Sequence, residues 1–190
     1  MNNKKALSKS ILTVGLIAIS LLLVPLVGMQ FSDEINWTLS DFIFAGVLLF
    51  GTGSAFAFVL TNKGSNFYKA GMGIAILASF LVVWSNGAVG IVGHEGESIN
   101  ILYYGVLAIG LIGSFIARFQ AKRMVYALYA MVTSIMIITI IALMGYMQEP
   151  PHSSTMQILG VNAFFVTLFL LSAISFRNAT KDANSEEVLA

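Results

Sequence analysis

Six apolar runs, each long enough to cross a bilayer, predict an all-α polytopic membrane protein. Composition, run length and the sorting of charge carry this prediction. With 57% hydrophobic residues, 10% charged residues and a mean hydropathy of +0.86, the 190-residue chain is too apolar for a soluble domain, in which about a quarter of residues are charged. A spanning helix needs roughly 20 apolar residues, because each rises about 1.5 Å through about 30 Å of hydrocarbon. The runs at 11–28, 39–60, 70–92, 99–119, 124–147 and 158–176 meet that length. Numbering their ends alternately places Lys4, Lys5, Lys9, Lys63, Lys69, Arg118, Lys122, Arg123, Arg177 and Lys181 on one side, which is all 10 basic residues. By the positive-inside rule that side is the cytoplasm, so both termini are expected there. Asp33, Glu34, Glu95, Glu97 and Glu149, with Asp41 at a helix mouth and both histidines, fall on the other side.

The first run follows Lys4, Lys5 and Lys9, as a signal peptide would, but no small-x-small cleavage site follows Pro25, and it reads as an uncleaved anchor. Ahead of the second run, Trp37 suits the interface and Thr38-Leu-Ser-Asp41 reads as a helix N-cap. Asn62-Lys-Gly-Ser-Asn66 is a loop, and Pro150-Pro151-His-Ser-Ser-Thr155 breaks the chain and offers caps for the last helix. The connections are short, so residues 1–177 are expected to form one transmembrane domain, with 178–190 a solvated, disordered cytoplasmic tail. Sliding the chain by 59 positions lays Asp41-Phe-Ile-Phe-Ala-Gly46 over Asn100-Ile-Leu-Tyr-Tyr-Gly105 and Lys63 over Lys122, a candidate duplicated hairpin of helices two–three and four–five. Gly46, Gly51, Gly71, Gly73, Gly105, Gly110 and Gly113 are spaced for close helix approach.

Most of the distinctive polar residues gather between Trp84 and Asn100. An amide at Asn86, counted from a helix entry near Ala70, falls inside the outer third of the hydrocarbon, where it must find partners. Asn162 enters from the same side, and Asp41 and Asn100 sit at outer mouths. Together with Trp84, Glu95 and Glu97, these residues are expected to form one outward-facing polar site for a small ligand or lipid. The bland alternative is that Asn86-Gly87 ends a helix and each polar group satisfies a neighbour.

Three chemical readings are weaker. Val89-Gly-Ile-Val-Gly93 has a filter-like look, but a potassium filter needs four such loops around an axis. His94, Glu95, Glu97, Glu149 and His152 share a side and carry metal-ligand chemistry, without His-Glu-x-x-His spacing. A hydrolase needs a base beside a nucleophile, and the 2 histidines both lie in turns. With no cysteine, thiolate chemistry is excluded. No cofactor motif is present, no charged residue sits mid-helix as a proton relay requires, and the scattered basic residues carry no nucleic-acid signal. The expected partners are the bilayer itself and a homo-oligomer or membrane-complex partner.

The stretch Ala88-Val-Gly-Ile-Val-Gly93, Glu95 and Asn100-Ile-Leu-Tyr-Tyr-Gly-Val106, preceded by Trp84 and Asn86, resembles one found in a group of small uncharacterised bacterial multi-helix inner-membrane proteins. The resemblance implies bacterial origin, an inner-membrane location and a multi-helix fold, and it brings no activity or cofactor. The turn departs from the group's Ser-Glu-Asp-Asn-Pro pattern, reading His94-Glu-Gly-Glu97 here. The function expected from the whole reading is a non-catalytic, permease-like bundle, with a scaffold or accessory subunit as the alternative and a metal-dependent hydrolase less favoured.

Overall fold

In the computed structural model the described residues are 2–32, 34–61, 64–94, 96–146 and 153–189, with side chains described for all of these except 2–4, 146 and 184–189. They are all-helical: α1 (Asn2–Gly28), α2 (Leu39–Thr61), α3 (Asn66–Ala88), a 3₁₀ turn at Ser98–Asn100, α4 (Ile101–Ile116), α5 (Ala121–Tyr146) and α6 (Thr155–Leu189). All six are long and apolar enough to cross a membrane, α4 when the preceding 3₁₀ turn is included. At 16 residues, α4 alone covers only about 24 Å, and three residues of 3₁₀ helix add about 6 Å to reach the hydrocarbon thickness.

Two helices, α3 and α6, begin a few residues before their apolar runs where polar caps extend them. The Ser65 hydroxyl accepts the Tyr68 amide at 3.2 Å and starts α3. Ser154 and Gln157 reciprocate before α6, Gln157 Oε1 accepting the Ser154 amide at 2.8 Å and Ser154 Oγ the Gln157 amide at 3.2 Å. At the far end, α6 continues to Leu189, past the expected tail boundary at Asn178. Phe176 and Ala179 are still buried there, so packing carries the helix beyond its apolar run.

The chain divides into two compact units, Met1–Lys63 and Gly64–Ala190, where the short connections predict one. The boundary falls inside the first copy of the candidate hairpin repeat, between α2 and α3, whereas α4 and α5 lie within one unit.

In the first unit α1 and α2 form an antiparallel hairpin closed by small residues. A Cβ on Gly53 would lie 2.5 Å from Val14, one on Gly15 3.7 Å from Phe50, and one on Gly46 3.3 Å from Leu22. Gly51, expected at such a contact, has open space instead.

In the second unit α6 packs on α3 and α5, and α4 on α5 and α3. The core runs through Ala78 and Val82 of α3, Tyr103 and Val106 of α4, Leu128 and Ile135 of α5, and Phe165, Phe169 and Phe176 of α6. Lipid offers helices no hydrophobic drive to associate, so close approach and interhelical hydrogen bonds hold the unit. Buried Ser172 of α6 donates to the Gly71 carbonyl of α3 at 2.7 Å, while a Cβ on Gly71 would meet the Phe176 ring at 3.0 to 3.2 Å. At the same end Tyr68 sets its ring edge-on to Phe176, centroids 5.3 Å apart, and donates its hydroxyl to the Phe119 carbonyl at 2.9 Å. That bond braces the α4–α5 turn, in which Arg118 and Phe119 hold φ of 50° and 56°. The left-handed region costs a non-glycine residue about 1 to 2 kcal/mol, which the brace and the helices on either side offset.

Candidate functional site

The connection from α3 to α4 is built on one side chain. Asn100, 3% exposed, accepts through Oδ1 from the amides of Ile91 at 3.2 Å and Val92 at 3.0 Å. Through Nδ2 it donates to the carbonyls of Val92 at 3.0 Å and His94 at 2.8 Å. An asparagine amide offers two donors and two lone pairs, so this residue is saturated. Its own main-chain carbonyl accepts from Asn86 Nδ2 at 2.9 Å, tying the connection to the last turn of α3.

Glycine makes the wrap possible. Gly90 and Gly93 hold φ of +77° and +71°, and a Cβ on Gly90 would lie 2.5 Å from the His94 carbonyl group and 2.8 Å from Asn100 Nδ2. Between them, Ile91 and Val92 turn inward and join the core at 5% and 0% exposure. The Gly93 amide reaches across to Ser153 Oγ at 2.9 Å, joining the connection to the entry of α6. We expect Gly90→Ala to destabilise the second unit by about 2 kcal/mol or more, the left-handed penalty and a backbone clash acting together. Thermal unfolding in detergent checks this, and a variant melting with the parent contradicts the wrap described here.

Outside this wrap, His94 Nε2 lies 3.2 Å from Glu97 Oε1, and its Nδ1 accepts the Gly96 amide at 3.1 Å. The Glu97 side chain packs over Gly93, where a Cβ would come within 2.7 Å of it.

Within the second unit, the described residues predicted to converge fall into distinct hydrogen-bonded arrangements. Asn86 and Asn100 do meet, through the Asn100 main chain. Asn162 instead accepts the Tyr103 hydroxyl at 2.8 Å and donates to the Ile158 carbonyl one turn back at 2.8 Å, all three residues being buried. Asp41 belongs to the first unit and is spent on a cap, its Oδ2 accepting the Thr38 amide at 2.7 Å and hydroxyl at 2.8 Å. Trp84 stacks on Phe80 one turn back, centroids 5.9 Å apart. Glu95, Glu149 and His152 lie outside the described residues, and among the described residues no group of three or more potential ligands could hold a metal.

Asn86 lies in the last turn of α3, which ends at Ala88, within one residue of the expected end at Asn86-Gly87. It is nonetheless only 4% exposed, and its Oδ1 has no hydrogen-bond partner among the described residues. Tyr103 escaped the sequence reading because its ring counts as apolar. Its place three residues after Asn100, on the same helix face, is the signal that could have found it. Comparison of the chain with known protein families, curated proteins and solved structures finds no match.

Proposed function

We propose that this chain is a non-catalytic, multi-pass protein of a bacterial inner membrane that serves as an accessory or scaffold subunit, with the 89–100 connection as its outward recognition element. The observation that carries this reading is the saturation of Asn100, whose four side-chain hydrogen bonds hold the 91–94 backbone in one conformation while Val89 stays 65% exposed beside it. Preorganised loops lose little entropy on binding, which is what a docking element needs. The Asn100 amide that a solute pathway would expose is instead spent on the protein's own backbone.

A photo-crosslinker at Val89 tests the proposal in intact cells. A discrete protein adduct is expected there, absent from the same probe at exposed Ile174 of α6 and lost when Asn100→Ser frees the connection. Identical labelling at both positions removes the proposal. A second reading, an outward-facing site for a small ligand in a permease-like unit, is favoured by one observation only, the unspent Asn86 Oδ1.

Both readings share a topology, inferred from the sorting of basic residues. Cysteines replacing Ser65 and Gln120 are expected to label only from the cytoplasm, and one replacing exposed Thr155 only from outside. Labelling of Ser65→Cys by an impermeant reagent on intact cells contradicts that topology.

A further inference from the structure

At the end of the second unit opposite the Asn100 wrap, Tyr68 of α3, Phe119 of the α4–α5 turn and Phe176 of α6 meet in one cluster. Each is the immediate chain neighbour of a cation: Lys69, Arg118 and Arg177. Three elements therefore bring basic residues to the same end of the unit, and Lys122 and Arg123 follow in the first turn of α5. Arg118, Lys122, Arg123 and Arg177 are all exposed. The acidic side chain described nearest in sequence is Asp182, five residues beyond Arg177.

The same corner carries an apolar face. Along the last turns of α4 and into the turn, Ile112, Phe115, Ile116 and Phe119 are 58%, 64%, 73% and 41% exposed, and the rings of Phe115 and Phe119 meet edge to face at 5.5 Å. Basic groups thus sit at the mouth of a hydrophobic wall, on a helix whose end marks the level of the headgroups.

We propose that this corner binds an anionic phospholipid of the leaflet that the basic end faces, its phosphodiester held by Arg118 with Lys122 and Arg123, its acyl chains lying along Ile112, Phe115 and Ile116. The guanidinium fork suits a phosphate's paired oxygens, and ammonium groups add point charge beside it. A free phosphate would use the cations and leave the apolar wall unused. A zwitterionic lipid would bring its own ammonium against the same cluster. The brace from Tyr68 fixes the backbone of the α4–α5 turn from which Arg118 projects, so the site does not depend on the outer connection or on any partner bound there.

Native mass spectrometry of the full chain in detergent, titrated with phosphatidylglycerol or with phosphatidylcholine of the same acyl chains, tests the proposal. We expect the first phosphatidylglycerol to bind at least about fivefold more tightly, as juxtamembrane basic groups contribute near an anionic surface. The triple variant Arg118→Gln, Lys122→Gln, Arg123→Gln should bring the two lipids within about twofold, while Lys5→Gln with Lys9→Gln in the first unit keeps the preference. Circular dichroism confirms that the variants are folded. If the triple variant is not folded, Arg118→Glu alone carries the test and should abolish the preference. Equal binding of the two lipids by the parent, or a preference that survives loss of the three cations, overturns the proposal. So does displacement of the bound lipid by inorganic phosphate at millimolar concentration, which would make the corner a phosphate site.

Discussion

Replacing Asn100 with leucine is expected to cost more than about 3 kcal/mol, the largest effect of any polar substitution in the second unit. The side chain satisfies two amides and two carbonyls of the 91–94 backbone, and each buried group left unpaired costs roughly 1 to 3 kcal/mol. Leucine is close in size and cannot replace any of these bonds. Asn86→Leu provides the contrast, since it breaks one hydrogen bond but also removes an acceptor that has no described partner. It should cost less than half as much. Hydrogen exchange separates the two: in Asn100→Leu the amides of Ile91 and Val92 are expected to lose about 10- to 100-fold in protection. Unchanged exchange at both amides would show that something else holds the connection.

Gly113→Ala is expected to be the most damaging single-methyl addition at a helix–helix contact of the second unit. Its Cβ would lie 2.7 Å from the Cβ of Ala127, an atom fixed to the backbone of α5, so α4 and α5 must move apart. Overpacking of this kind costs about 1 to 3 kcal/mol, and lipid supplies no compensating hydrophobic gain. Gly110→Ala meets the Met131 thioether even more closely, but that is the far end of a flexible side chain that can rotate away. It should cost less than half as much as Gly113→Ala. Adding Ala127→Gly to Gly113→Ala returns the space, and the double variant is expected within about 1 kcal/mol of the parent, the residual being the helix propensity of glycine. Denaturant titration in detergent measures all four proteins. Failure of Ala127→Gly to rescue would mean that the two helices do not touch at this point.

The number and type of elements were legible because a bilayer imposes a minimum run length and tolerates few charges, so six apolar runs could only be six helices. Their boundaries were less so. Ser65 and Ser154 extend helices into polar sequence, and burial of Phe176 and Ala179 carries α6 past its last apolar run, neither of which hydropathy registers. Within the candidate site, the importance of Asn86 and Asn100 could be read from polar atoms near apolar surroundings. Their roles could not, because a buried amide has equal chemical reason to bond a ligand, another side chain or the backbone. The backbone took Asn100, and the glycines that allow it, Gly90 and Gly93, read in sequence as a pattern resembling a pore. Asn162 was visible as a polar group in an apolar helix, but its partner Tyr103 was hidden by its ring.

The pairing of α3 with α6 sets an order of events during synthesis. Ser172 bonds a carbonyl 101 positions earlier in the chain, and at about 5 to 20 residues per second that separation takes roughly 5 to 20 s to translate. Through that interval Gly71 lies in the membrane without the Phe176 ring that packs on it, and the α3 face bearing Ala78 and Val82 meets lipid or transient neighbours. Of the four helices of this unit, α6 leaves the ribosome after the others and completes it. A nascent chain that ends before Thr155 should therefore be a good substrate for membrane quality control, while the α1–α2 hairpin, whose two helices follow one another directly, can pair as soon as both have been inserted.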